Sequence, residues 1–149
     1  MYQEHLREIA AQIRADGDEM QPPCSVRQLQ RLRNQARAEL RTEIPEAYAH
    51  FLQLHNGLDW NGLMVYATEK VPIVGYEDRF IFGCVEANLS RRDVAKMKQF
   101  LIFGETGDEE YCLETAKSQY VVLDSASTDV LETFPSFDEL IAEALQRRL

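Results

Sequence analysis

The sequence predicts an α+β domain in which a mainly antiparallel sheet is flanked by helices. Near both ends of the chain, apolar residues recur at three- and four-residue spacing, as in amphipathic helices. The middle instead holds short runs of β-branched and aromatic residues separated by glycines. Helices first, several short strands next and a closing helix are typical of this class. We expect about five or six strands, with N-terminal helices and one C-terminal helix around them.

The composition excludes several protein classes. A chain of 149 residues is the length expected of one domain, and no apolar run approaches the ~18 residues of a membrane span. The three cysteines have no C-x-x-C spacing, which argues against a disulfide framework or a zinc site. The N-terminus does not have the pattern of a signal peptide. We therefore expect a cytoplasmic domain that needs no metal and no cofactor.

The charge is acidic overall and unevenly distributed. Sixteen Lys and Arg stand against 25 Asp and Glu, for a net charge of −9. Residues 25–41 are the exception, with five Arg and one acid. An acidic body repels phosphate backbones, so we expect no nucleic acid partner. Opposite fields steer encounter, so a basic protein is the partner that the charge favours.

Three helices are predicted in the first third of the chain. The first spans residues 2–15 and ends before the Asp16-Gly17-Asp18 stretch. The second begins at Ser25, which forms a capping box with Gln28, and its expected buried stripe consists of Val26, Leu29, Leu32, Ala36 and Leu40. Pro45 fits the first turn of the third helix, and Asn56-Gly57 ends it.

From Leu58 onward the pattern becomes extended. We predict strands at residues 63–68, 71–74, 79–85, 101–103, 111–115 and 119–124. The polar stretch 88–99 is predicted to be a loop with at most a helical turn. The last helix starts near Phe137, because Ser136 and Glu139 form a second capping box.

Four acids cluster between two predicted strands and form the first candidate site: Glu105, Asp108, Glu109 and Glu110. Three readings stay open. The loop can be a solvated turn whose charges keep a sheet edge from pairing. Its carboxylates can contact a basic protein surface, since loops carry function more often than cores. They can also bind a cation or divide acid and base roles, although the EF-hand spacing is absent.

Asp59 and Trp60, in a turn flanked by glycines, form the second candidate site. Trp is enriched at binding hot spots, but it is as often a lid over the core edge. No nucleophile elbow and no phosphate loop occurs in the sequence. We therefore expect a binding protein rather than an enzyme, with a small acid–base enzyme as the third class.

One stretch resembles the signature of the SUKH superfamily, which includes bacterial toxin-immunity proteins and a fungal cell-wall regulator. Residues 44–57 carry an apolar residue and Pro, then a Tyr, Phe-Leu and finally Asn-Gly. Residues 100–104 read Phe-Leu-Ile-Phe-Gly, and 133–137 read Thr-Phe-Pro-Ser-Phe. The resemblance covers about residues 26–145, and residues 1–24 are then a helical extension of a single domain.

The resemblance implies a twisted sheet flanked by helices and a binding module without catalytic residues. Together with the acidic charge of the chain, it makes an immunity-type protein that neutralises a basic toxin domain through an acidic surface the leading hypothesis. The candidate contacts are then Asp59, Trp60, Glu105, Asp108, Glu109 and Glu110. A regulatory interaction module without a toxin partner is the alternative.

Overall fold

The computed structural model describes residues 1–149 and confirms the α+β class. Eight strands are present: β1 Leu58–Trp60, β2 Leu63–Val65, β3 Val71–Pro72, β4 Phe80–Ile81, β5 Phe100–Glu105, β6 Glu109–Glu114, β7 Gln119–Asp124 and β8 Val130–Phe134. Six of them form one antiparallel sheet in the order β1-β2-β5-β6-β7-β8. The short β3 and β4 pair only with each other.

Five α-helices surround the sheet: α1 Tyr2–Ala15, α2 Val26–Gln35, α3 Glu46–Leu54, α4 Cys84–Arg91 and α5 Phe137–Gln146. One π-helical turn, Ala36–Leu40, prolongs α2, and a 3-10 helix, Ala95–Gln99, leads into β5. α5 packs against α1, α3 and the strands β6 to β8, whereas α4 packs against β5. None of the helices combines the length and the apolar character that a bilayer crossing requires.

The core is organised around Phe137 at the start of α5. Its ring lies 5.1 Å from Phe103 and 5.9 Å from Tyr48, measured between ring centroids. Phe51, Tyr120 and Tyr2 also pack against it, at 6.4, 6.4 and 6.3 Å. Such tilted and edge-to-face pairs add to the gain from apolar burial. Because Tyr2 belongs to α1, the N-terminal helix is part of this core.

The chain between the third helix and β5 differs from the prediction. The predicted strand 79–85 is a strand only at Phe80–Ile81, because Cys84 and Val85 already belong to α4. The predicted loop 88–99 contains the end of α4 and the 3-10 helix. Asn88 explains the second error: this polar side chain is buried and hydrogen-bonds the backbone N–H and C=O of Ile102 at 2.8 and 2.9 Å.

The start of α2 confirms the predicted capping box and corrects the buried stripe. The Ser25 hydroxyl accepts a hydrogen bond from the Gln28 backbone N–H at 3.0 Å, and the Gln28 side chain accepts one from the Ser25 N–H at 2.8 Å. Val26, expected in the stripe, is 87% exposed. It occupies the first helical position on the solvent side, and burial begins one turn later at Leu29.

Replacing Ser25 by alanine is expected to lower the free energy of unfolding by about 1 kcal/mol, because the first turn of α2 loses its side-chain acceptor. Urea denaturation measures this change. The matched control is Ser25→Asp, which keeps an acceptor and adds a favourable charge at the helix N-terminus. An alanine variant as stable as the parent protein would contradict a stabilising cap.

Candidate functional site

The register of the sheet places one row of side chains on a common face. Asp59 pairs with Met64, Met64 with Glu105, and Glu105 with Glu110. Directly paired residues of antiparallel strands point to the same side of a sheet. This is also the side on which α4 packs, since Arg91 of α4 contacts Glu110. We call it the α4 face, and it brings together three of the predicted acids.

Trp60 and Glu109 lie on the opposite side of the sheet. Successive residues of a strand alternate between faces, so each points away from its neighbour, Asp59 or Glu110. Trp60 is half-buried against the core, and the Glu109 carboxylate lies 3.3 Å from Arg147 beyond the end of α5. The structure therefore does not join Asp59 and Trp60 in one anchor.

The loop acids do not form one charged surface. Glu110 is 2% exposed and accepts two hydrogen bonds of 2.7 Å from Arg91. Glu109 is half-buried in its ion pair with Arg147, and Asp108 is exposed in the turn. The expectation that all four acids supply surface charge is thus corrected at Glu110, because β6 begins at Glu109 and turns the Glu110 side chain inward.

Two cavities open on the α4 face, and Glu105 lines both of them. One has a volume of about 290 Å³ and lies between α4 and the sheet, lined by Tyr66, Phe82, Glu86, Ala87, Ser90, Arg91 and Glu105. The other, of about 450 Å³, lies along the β1–β2 turn and is lined by Asp59, Gly62, Leu63, Met64, Glu105, Thr106 and Gly107. Glu105 therefore occupies the centre of this surface.

Glu105 is held in an unfavourable environment for a carboxylate. Burial raises its pKa above the ordinary value, and the charge of Glu110 raises it further, while the Tyr66 hydroxyl and Arg91 act in the opposite direction. Arg91 is already engaged with Glu110, and no Lys or Arg nitrogen lies within 4.0 Å of Glu105. By contrast, the Asp59 carboxylate has a partner in Arg79 at 3.2 Å.

Phe82 is the apolar feature of this surface. Its side chain borders the smaller cavity, and the residue is 48% exposed. The Phe82 backbone N–H donates to the Met64 sulfur at 3.5 Å, which ties the segment before α4 to β2. Sequence reasoning missed Tyr66, Phe82 and Arg91. Tyr66 and Phe82 directly follow the ends of β2 and β4, and Arg91 ends a helix that the sequence pattern does not predict.

The basic helix does not neutralise the acidic surface. Arg33 pairs with Glu46 at 2.9 Å, and Arg37 pairs with Glu43 at 2.5 Å. Both carboxylates belong to the segment that directly follows this helix. Arg31 of the same segment lies 3.8 Å from Glu69. No arginine of residues 25–41 therefore pairs with an acid of the α4 face, where Glu105 has no ion-pair partner while Asp59 and Glu110 are paired with Arg79 and Arg91.

A comparison with protein-family models matches residues 23–143 to the SMI1 / KNR4 family (SUKH-1). The chain belongs to this family. No match was found among curated proteins. Membership in SUKH-1 supports an immunity or regulatory module and agrees with a protein partner. All residues of the α4 face lie within the matched range, whereas α1 lies outside it.

The structure explains the residues that carry the SUKH signature. Tyr48 and Phe51 are fully buried in the aromatic core. Tyr48 also donates a 2.7 Å hydrogen bond to the backbone oxygen of Tyr66. Gly57 has a φ of +89°, which side chains rarely adopt, and an added Cβ would lie 2.9 Å from Ile81. These SUKH-1 positions hold the fold together, so they do not identify the binding surface.

Proposed function

We propose that the chain is an immunity-type protein that binds a cognate toxin and blocks it by occlusion, without catalysis. The observation that carries this proposal is Phe82, an exposed aromatic residue that lines one cavity of the α4 face together with the acids Glu86 and Glu105. Aromatic anchors inside a polar rim are typical of protein interfaces. The complementary partner is a basic protein domain.

Charge and apolar contact have separate roles in this mechanism. The net charge of −9 and the unneutralised acids attract a basic domain and accelerate its encounter. Burial of the Phe82 ring then slows dissociation, because an apolar anchor acts only after contact. Occlusion follows when the α4 face covers the active surface of the toxin.

An acid–base enzyme has one observation in its favour, the raised pKa of Glu105 beside a cavity. A catalytic site also needs a second group of matched role. Glu110 is held by Arg91, and none of the three histidines lines the cavity. We therefore assign Glu105 to binding.

The proposed function is tested by affinity capture from cells that naturally express the protein, at low and at high salt. We expect a stoichiometric basic partner that high salt releases. The captured protein is then expressed alone and together with this chain. We expect toxicity alone and growth together. A partner that is harmless alone would overturn neutralisation and favour the regulatory module of the same fold.

Binding kinetics with the captured partner test the surface. Glu86→Lys is expected to slow association about tenfold at low salt and to flatten its salt dependence, because it reverses an exposed charge on the α4 face. Phe82→Ala is expected to accelerate dissociation with little effect on association.

Two exposed acids elsewhere serve as comparisons for this experiment. Glu39→Lys reverses a charge on the π-helical turn after α2 and is expected to change association only slightly. Asp108→Lys tests the loop itself, where the sequence places a contact. If Glu86→Lys and Glu39→Lys change the association rate equally, the α4 face is not the binding surface.

A further inference from the structure

The smaller cavity on the α4 face has a polar floor and an apolar rim. Tyr66 is 2% exposed, and its hydroxyl lies beside the Glu105 carboxylate on the cavity wall. Phe82 and Ala87 supply the apolar part of the lining. A volume of about 290 Å³ is at the small end of ligand sites, ~300–1,000 Å³. It suits one side chain rather than a large ligand.

The charges in the lining favour a cationic ligand over an anionic one. Arg91 supplies the only positive charge in the lining and is committed to Glu110 through two 2.7 Å hydrogen bonds. Glu105 and Glu86 have no cation within 4.0 Å. An anionic ligand would meet these two carboxylates without a free donor charge. A cation would instead compensate a half-buried carboxylate that now lacks an ion-pair partner.

We propose that this cavity is a receptor for one cationic side chain of the partner, with the guanidinium of an arginine as the preferred occupant. The inference rests on the proposed function, since it names the chemistry by which the basic partner is recognised. A guanidinium can form a two-point, charge-assisted contact with the Glu105 carboxylate. Its plane can also lie over the Phe82 ring, which adds a cation–π interaction.

The proposal predicts a conflict between stability and binding at Glu105. In the free protein its carboxylate is partly desolvated and has no ion-pair partner. Glu105→Gln removes the charge while keeping the shape. The variant is therefore expected to raise Tm by about 2 °C, as happens when binding residues are neutralised. At the same time it should weaken cation binding, an effect that a purely structural residue would not show.

The test uses the full chain alone, with n-butylguanidinium as probe and n-butylurea as its neutral counterpart. Amide resonances are followed by NMR during each titration. We expect the guanidinium to shift the resonances of Tyr66, Ala87 and Glu105 in a saturable way, with a dissociation constant of about 1–10 mM for so small a ligand. The neutral urea should bind at least tenfold more weakly.

Two variants and one control test which residues of the cavity bind the guanidinium. Glu105→Gln should weaken guanidinium binding about tenfold, and Phe82→Leu, which keeps an apolar rim without the aromatic face, about threefold. Glu39→Gln removes an exposed acid on the π-helical turn after α2, outside the cavity, and should leave binding unchanged. Measurement of Tm for each variant verifies that all of them fold.

Three results would overturn the proposal. These are equal affinity for the urea and the guanidinium, shifts confined to residues outside the cavity, and unchanged binding by Glu105→Gln. Failure of the proposed function looks different. In that case affinity capture yields no toxic partner, while the cavity of the isolated chain still binds the guanidinium. The two claims are therefore decided by separate measurements.

Discussion

Replacing Arg91 by methionine is expected to lower the free energy of unfolding by about 3 kcal/mol. The substitution leaves the Glu110 carboxylate 2% exposed and without its cation. Breaking a buried ion pair by removing one partner typically destabilises a protein by ~3–5 kcal/mol. The lower end applies here, because the Arg91 side chain is itself 30% exposed and part of the pair is screened by water.

The second substitution that completes the test is Glu110→Leu in the Arg91→Met background. It removes the stranded charge and replaces the pair by apolar side chains of similar volume, which is often neutral or stabilising. Most of the lost stability is expected to return. Urea denaturation of the parent, the single variant and the double variant measures this. A double variant that is less stable than Arg91→Met would show that the buried Glu110 carboxylate does not need Arg91 to be tolerated.

The pairing of Glu110 with Arg91 also changes which of the predicted contact acids can reach a partner. Neighbouring acids in a sequence look equivalent, yet Glu109 and Glu110 have different environments. The predicted strand begins at Tyr111, so both acids fall in the loop. The actual β6 begins at Glu109, and strand alternation then sends the two carboxylates to opposite faces. An error of two residues in one boundary therefore changes which charges reach the surface.

The elements that the sequence predicts best are those with a strong local signal. α2 begins at its predicted capping box, and β6 and β7 follow their apolar runs. α5 begins at Ser136 as predicted, but only half of its capping box forms: the Ser136 hydroxyl accepts from the Glu139 backbone N–H, and no return bond is made by the Glu139 side chain. The prediction of the segment between β4 and β5 is wrong because the interaction that stabilises this segment is not local. Asn88 is polar and therefore looks exposed, but it completes the hydrogen bonds of Ile102 from within the core.

The candidate site is predictable only in part for the same reason. Asp59 and Glu105 are visible as acids near turns, and the structure places both on the α4 face. Their association depends on Met64 of β2, which pairs with both and is half-buried. Arg91 joins the site through the packing of α4 against the sheet, and Phe82 through its backbone N–H bond to the Met64 sulfur. No spacing in the sequence encodes that contact.

Gly104→Ala is expected to destabilise the protein by about 3 kcal/mol and to disturb the candidate site. A Cβ built on Gly104 would lie 2.4 Å from the backbone oxygen of Met64, a distance that no real contact adopts. The obstacle is backbone, so it cannot rotate away as a side chain would. Overpacking of this kind costs about 1–3 kcal/mol, and more when the chain cannot yield.

Gly107→Ala is the matched control. It lies three residues further along, in the turn before β6, and a Cβ there meets nothing within 4 Å. Its stability is expected to stay within about 0.5 kcal/mol of the parent protein. Urea denaturation compares the two variants. An equal loss of unfolding free energy in both variants would mean that glycine is needed for backbone flexibility rather than for the close approach of β2 and β5.

The position of Gly104 connects the fold to the proposed binding chemistry. β5 has a bulge between Ile102 and Gly104, and the residue after the bulge is Glu105. The close approach of β2 at Gly104 keeps Met64 paired with Glu105 and so fixes where this carboxylate points. Gly104→Ala should therefore weaken guanidinium binding even in the fraction that remains folded, whereas Gly107→Ala should not. If both variants bind like the parent protein, the carboxylate does not depend on the bulge for its position.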